Sequence, residues 1–220
     1  MIDIGNLHDA YKEYKMAHDV TGKRDAYARI GLANIHYMIS TFHRHNIESQ
    51  EAELRMAMNQ YFSVLEFDEM NTAGSLGVGI VLSEYAKVTE AKEIFKVIES
   101  SETDPTIVKH AMLNHAHILM DDENSEYAVN LYQACHDRFP EDHAISLYLA
   151  KAHYKRKNYT KCADMTRRLL MRHPNDFRLK FNLALCLFSK ADHTFSLTVR
   201  RVKQTVQATK DLHYAKSLLT

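Results

Sequence analysis

The residues of this 220-residue chain best able to do chemistry are fourteen histidines, three cysteines and one glycine-rich string. Metal binding needs several His, Cys or carboxylate side chains converging at set spacing. His43 and His45 lie in a polar stretch, and His115 and His117, two apart on a helix, point to different sides. No HExxH and no Cys/His quartet occurs, so the histidines read as surface and interhelix residues, and neither metal nor cofactor is expected. Cys135, Cys162 and Cys186 are odd in number and form no CxxC, which reads as reduced thiols in the cytosol or nucleus. The string Gly74-Ser75-Leu76-Gly77-Val78-Gly79 tempts a phosphate-loop reading, but it falls inside a helical stretch with no preceding strand. No GxGxxG, GxxxxGK or GxSxG occurs, and no nucleophile–base pair can be argued, so the chain is expected not to be an enzyme.

Charge offers another candidate. Lys+Arg and Asp+Glu are both 28, which argues against a protein dedicated to coating nucleic acid. The balance hides an asymmetry. From Glu48 to Asp104 there are twelve acids against four bases (Arg55, Lys87, Lys92, Lys96), and from Lys151 to Lys180 ten bases against two acids (Asp164, Asp176). Within the basic rear, Lys151, Lys155, Arg156, Lys157, Lys161, Arg167, Arg168 and Arg172 could meet nucleic acid or an acidic partner segment. Aromatic interleaving is sparse, with Tyr154 and Tyr159, so a solvated helical face is the preferred reading and direct nucleic-acid binding is not expected.

The elements that hold these residues are helices. Only 6 Gly and 3 Pro interrupt a chain rich in helix formers, and no period-two run offers a strand. No apolar run approaches 18 residues and no secretory leader pattern is present, so no membrane segment is expected. Small residues recur inside apolar helical strings at Ala33, Gly79, Ala116, Ala150 and Ala184, with intervals of 46, 37, 34 and 34. A second series, Ala57, Ala91, Ala128 and Cys162, runs at 34, 37 and 34. Four residues after three of these stands an aromatic: Tyr61, Phe95 and Tyr132. Pro140 and Pro174 follow the last two by twelve residues, and Pro105 falls late after Ala91.

This spacing has a physical reason. Two antiparallel helices touch closely only where a small residue removes the side chain between them, and an aromatic one turn on fills the space beside it. One such hairpin cannot bury its own apolar face, so neighbours must stack. The pattern resembles the tetratricopeptide repeat. That resemblance implies an all-α, right-handed superhelical solenoid of antiparallel hairpins. First helices are expected near 26–40, 72–85, 106–120, 143–156 and 177–190, and second helices near 50–66, 88–100, 125–138 and 159–172. Residues 43–50 read as an inserted polar loop. The expected organisation is an abbreviated or truncated first repeat over 1–25, tandem repeats over 26–193 and a long capping helix over 194–220. The last carries an apolar stripe of Phe195, Val199, Val202 and Val206. With no clear capping unit at its start, the chain reads as a segment of a longer array.

In such a stack the first helices form a concave wall, contributed by residues three before, one after and four after each small residue. These are Ile30, Asn34, Tyr37, Leu76, Ile80, Ser83, Leu113, His117, Met120, Leu147, Lys151, Tyr154, Phe181, Leu185 and Phe188. Most are apolar, as expected of a groove that takes a partner's extended or helical segment. Several could instead pack inside the stack or under the last helix. A clamp for a C-terminal carboxylate, as in chaperone adaptors with this repeat, is disfavoured. Asn34 suits it, but Ile30 and Ile80 stand where polar donors are needed.

A more specific resemblance rests on whole strings. Gly77-Val78-Gly79-Ile80-Val81-Leu82 with Glu90-Ala91-Lys92-Glu93-Ile94-Phe95 resembles a central repeat of the Ctr-nine subunit family of the Paf-one complex. So do Asn114-His115-Ala116-His117-Ile118 with Ala128-Val129-Asn130-Leu131-Tyr132, Leu147-Tyr148-Leu149-Ala150-Lys151-Ala152 leading to Cys162, Phe181-Asn182-Leu183-Ala184-Leu185, and Gly5-Asn6-Leu7-His8. The late helix ending near Leu212-His213-Tyr214-Ala215 also fits. The start and the inserted loop depart from the family, whose members are several times longer. The resemblance implies a nuclear, non-catalytic scaffold. It would hold other Paf-one complex subunits (an N-terminal segment of the Paf-one subunit, the cell-division-cycle subunit) beside the RNA polymerase II machinery during elongation, in support of histone modification. Against it stand a tetratricopeptide adaptor for chaperones or trafficking, and an RNA-processing repeat protein resting on the basic rear alone.

Overall fold

A computed structural model describes residues 4–21, 24–102, 104–120, 125–197 and 201–219. Among these the regular elements are helices: α1 (Ile4–Val20), α2 (Ala26–Phe42), α3 (Ile47–Leu65), α4 (Thr72–Glu84), α5 (Val88–Ser101), α6 (Pro105–Met120), α7 (Ser125–Arg138), α8 (His143–Lys155), α9 (Tyr159–Arg172), α10 (Phe177–Ser196) and α11 (Val202–Leu219). The contacts divide the chain into two compact units, Met1–Ile118 and Leu119–Thr220.

Short polar side chains start the helices. Asp25, Asn46, Asn71, Asp142, Asn158 and Asp176 each cap a helix by accepting a backbone N–H of its first turn. Pro105, which falls late after Ala91, is the first residue of α6, where its missing N–H costs nothing. Asn46 also corrects the expected loop. It accepts from the Ser49 N–H at 3.2 Å, so the polar run after Ile47 is already helical.

The hairpin tips repeat as well. After α4 the Lys87 N–H reaches the Leu82 carbonyl at 3.0 Å and Ala86 reaches Ser83 at 3.1 Å. After α8 the Asn158 N–H reaches His153 at 2.8 Å and Lys157 reaches Tyr154 at 2.9 Å. Both are Schellman closures with a left-handed residue, Ala86 at φ 57° and Lys157 at φ 58°.

In unit 1 the stack is drawn together by rings on bare backbone. A Cβ added at Gly77 would sit inside the Tyr61 ring of α3, and one at Gly79 would meet Phe95 of α5 at 2.7 Å. Helix α4 is thus gripped on both sides, which explains the glycine-rich string without any phosphate. Gly31 of α2 receives Tyr14 of α1 in the same way. By that contact α1 takes the place of a second helix.

In unit 2 the core gathers Ala150, Cys162, Ala163, Leu183, Ala184, Cys186, Leu187 and Ala215. Cys162 of α9 and Cys186 of α10 stand side by side in this core with Cα atoms 6.3 Å apart, and Cys135 is buried apart from them. The single long C-terminal helix is corrected. Phe195 belongs to α10, α11 begins at Val202, and Val199 lies outside the described residues. Of the expected stripe, Phe195 is half-buried on α10, whereas Val202 and Val206 on α11 are 81% and 49% exposed. Instead α11 buries Ala208, Asp211 and Ala215. Asp211 forms an ion pair with Lys190 Nζ of α10 at 2.8 Å and accepts from Gln207 Nε2 at 2.9 Å. The face that packs is the one that carries Asp211, a buried carboxylate that needs the half-buried Lys190 as its partner.

Two substitutions test this packing. Gly77→Ala gains up to about 1 kcal/mol of helix propensity but overpacks against a buried ring, a cost of about 1–3 kcal/mol. Chemical denaturation is expected to show net loss for Gly77→Ala and no loss for Gly74→Ala, whose nearest neighbour is the mobile Leu65 Cδ2 at 3.2 Å. Lys157→Gly relieves a left-handed backbone and is expected to raise stability by about 0.5–1 kcal/mol in the same assay.

Candidate functional site

The expected wall residues fare differently along the chain. In unit 1, Ile30 packs against the core of Ala33, Leu54, Ala57, Tyr61, Val78 and Val81. Leu76 and Ile80 pack against the core of Ala91, Phe95, Ile98 and Ala111. Leu113 is a core residue rather than a wall residue. Asn34 is exposed but engaged, accepting the Tyr61 hydroxyl at 2.6 Å. The Tyr37 hydroxyl donates to Glu84 at 3.1 Å, and burial together with that carboxylate pushes it up to about 12. Burial likewise raises Tyr61, with Tyr37 adding to it. Ser83 donates to the Ile80 carbonyl at 2.6 Å, and His117 is half-buried. These residues form a hydrogen-bonded layer of the stack more than an open surface.

Unit 2 is open. Leu147, Phe181, Leu185 and Phe188 are 37%, 50%, 39% and 56% exposed. Between α8, α9 and α10 lies a cleft of about 380 Å3, lined among others by Leu147, Tyr148, Lys151, Tyr154, Thr166 and Leu185. Its origin is legible in the repeat. The ring series Tyr61, Phe95, Tyr132 ends in Thr166, whose hydroxyl turns back to the Cys162 carbonyl at 2.9 Å. The residue that meets the ring changes too. Tyr148 stands where Gly77 stands in its repeat and stacks on Tyr132, with centroids 6.3 Å apart. Asn182 follows in the next repeat. With no ring at 166 and no bare backbone at 182, the helices leave a gap. The Tyr154 hydroxyl is 2.9 Å from Ser189 Oγ, and its ring meets Tyr159 edge-on at 5.4 Å, fixing one end of the cleft.

Lys151 is the one charged residue lining the cleft and is exposed. The rest of the basic set does not form one face. Lys155, Arg156 and Lys157 surround the α8–α9 turn, with Arg156 3.7 Å from Glu126, and Lys161 lies in the first turn of α9. Arg167 is held by Asp164 at 2.9 Å, whereas Arg168 and Arg172 line a second, smaller cleft. Burial lowers the pKa of His153 within this region, and Lys161 and Arg156 lower it further. Among the described residues no group of three or more His, Cys, Asp or Glu could hold a metal ion, and no helix is long and apolar enough to cross a membrane.

Comparison with known proteins agrees with this architecture. The tetratricopeptide repeat family matches residues 119–189. The chain is 26% identical over 205 residues to the CTR9 homologue of Arabidopsis thaliana, covering 90% of this chain and 19% of that protein. It is 24% identical over 227 residues to the RNA polymerase-associated protein CTR9 of Caenorhabditis elegans, covering 98% and 20%. The chain therefore spans about a fifth of the length of these relatives. Among solved structures it resembles YrrB, a tetratricopeptide protein with an unusual peptide-binding site (TM-score 0.59, 16% identity, 95% and 93% covered). It also resembles a chain of the APC/C Cut9–Hcn1 hetero-tetramer (TM-score 0.65, 16% identity, 98% and 37% covered). The fold is a tetratricopeptide helical solenoid.

Restoring the missing ring should close the cleft. Thr166→Tyr with Asn182→Gly recreates the Tyr61–Gly77 contact, and the fluorescence of an apolar dye bound to the folded protein is expected to fall relative to the parent.

Proposed function

We propose that this chain is a non-catalytic scaffold that binds partner-protein segments within a Paf-one-type complex acting beside RNA polymerase II in the nucleus. The observation that carries the binding half is the exposed apolar face of α8 and α10. Leu147, Phe181, Leu185 and Phe188 stay in contact with water although the core beside them is closed, and such contiguous apolar surface marks an interaction site. Leu147 and Leu185 also border the cleft of about 380 Å3, which gives an aliphatic or aromatic anchor a place to enter, and Lys151 offers one charge to a partner's carboxylate. The names of the two CTR9 relatives support the assignment to a polymerase-associated complex. In this reading other Paf-one complex subunits, the Paf-one N-terminal segment and the cell-division-cycle subunit among them, are the occupants, and the role in co-transcriptional histone modification is indirect.

The test is co-purification of tagged protein from nuclei of the source cells. The parent is expected to recover polymerase-associated factors. Leu147→Asp with Phe181→Asp, both at exposed positions, is expected to lose them by more than tenfold, with helicity and melting temperature retained; full recovery by this variant would remove the face as the binding site. Recovery of chaperones in place of polymerase-associated factors would favour the adaptor reading.

A further inference from the structure

Outside the apolar face, unit 2 contains a second cleft, of about 150 Å3, walled by the end of α7, the start of α8 and the last turns of α9. Ligand pockets for drug-sized molecules run to about 300–1,000 Å3, so this one suits a single small group. Its polar lining is Arg168, Arg172, His136 and Ser146, and its apolar lining is Pro140, Met165 and Leu169. Arg168 and Arg172 are one turn apart on the same helix and project to the same side. Ser146 is 6% exposed, and its hydroxyl is 3.3 Å from His136 Nδ1, which leaves it in reach of a second partner within the cleft. Among the described residues, no acid lines the cleft. The acids nearest in sequence have partners elsewhere or are exposed: Asp164 pairs with Arg167 at 2.9 Å, Asp176 caps α10 and lies 3.3 Å from Arg178, Asp142 caps α8 through the Ala144 N–H at 3.0 Å, Asp137 accepts from Gln133 at 2.8 Å, and Glu141 is exposed.

We infer that this cleft binds the phosphate of a phosphorylated serine or threonine on a partner protein. Arg168 and Arg172, both exposed, line one concavity, and guanidinium forks match a tetrahedral oxyanion in a way that ammonium groups do not. Positive charge left unneutralised in a concave, partly apolar site concentrates anions there. The apolar half of the wall accommodates the methylene stem that carries the phosphate and the residue beside it. A nucleic-acid phosphate fits less well. Single strands are held by a basic track with aromatic platforms for the bases, and this cleft offers room for one anion and no aromatic wall. The site is distinct from the proposed partner face and does not depend on it.

The structure supplies its own control. Arg167 adjoins Arg168 on α9 and carries the same charge, but it is tied to Asp164 and does not line the cleft. The experiment uses the whole chain and fluorescence anisotropy. The probes are a degenerate peptide library with a fixed central phosphothreonine, the same library unphosphorylated, and a 20-nucleotide single-stranded RNA. Inorganic phosphate serves as competitor at constant ionic strength. The phosphorylated library is expected to bind about tenfold tighter than its unphosphorylated twin and to be displaced by inorganic phosphate. Arg168→Gln and Arg172→Gln should each weaken it by about tenfold, the loss of one charge-assisted partner, while Arg167→Gln changes it by less than about twofold and all three keep the parent's circular dichroism. Equal binding of the two libraries, an equal loss in Arg167→Gln, or RNA binding tighter than the phosphorylated library with the same mutational pattern would overturn the inference.

Discussion

The structure depends on the contact of an aromatic ring with a neighbouring helix where that helix has no side chain. Tyr61 lies on Gly77, Phe95 on Gly79 and Tyr14 on Gly31, so adjacent helices approach to ring-on-backbone distance. Glycine in a helix interior costs up to about 1 kcal/mol relative to alanine, and burial of a full aromatic ring more than offsets it, because such a ring removes 150–250 Å2 from water. This exchange links sequence to packing. It sets the hairpin geometry, it explains why the glycine string is helical, and its absence further along the chain leaves the opening in unit 2.

That dependence also sorts what the sequence could reveal. The intervals of 34 and 37 residues located the helices because one small residue per helix is a geometric demand that composition cannot hide. The inner wall was harder to read. Ile30, Leu76 and Leu113 occupy the same repeat position as Leu147 and Phe181, yet the first three are packed and the last two exposed. Equivalent positions diverge because exposure depends on how close the next helix stands, and that is set by a residue elsewhere, Gly77 in one repeat and Asn182 in another. The signal was present as the missing aromatic at Thr166, but it becomes meaningful only once the ring contacts are seen.

The ends were misread for a related reason. The stripe of Phe195, Val199, Val202 and Val206 satisfies helical periodicity, and periodicity alone cannot distinguish one helix from two that share a phase across a break. What decides the packed face of α11 is Asp211, which must meet Lys190 once either is buried. At the start, where residues 1–25 read only as an abbreviated or truncated repeat, Tyr14 on Gly31 puts α1 in the place of a second helix. In both places a single cross-helix contact outweighs the local pattern. The cysteines follow suit: no CxxC announced that Cys162 and Cys186 are neighbours, because they come from adjacent helices 24 residues apart.

Charge is distributed by the same logic of occupied and vacant contacts. Arg156 and Arg167 lie against Glu126 and Asp164 and are largely neutralised as local pairs, so counting the basic rear as one patch overstates it. Exposed pairs of this kind contribute about 0–1 kcal/mol each, too little to organise a surface. Of what remains, Lys155, Lys157 and Lys161 stand about the α8–α9 turn, and only two parts are concave: Arg168 and Arg172 at a cleft with no acid among its described lining residues, and Lys151 beside an apolar one. A diffuse basic face would attract any polyanion at low salt and lose it at physiological salt. Two arginines focused on a walled site discriminate by shape as well as sign, which is the property a scaffold needs if it is to hold a partner in one modified state and release it in another.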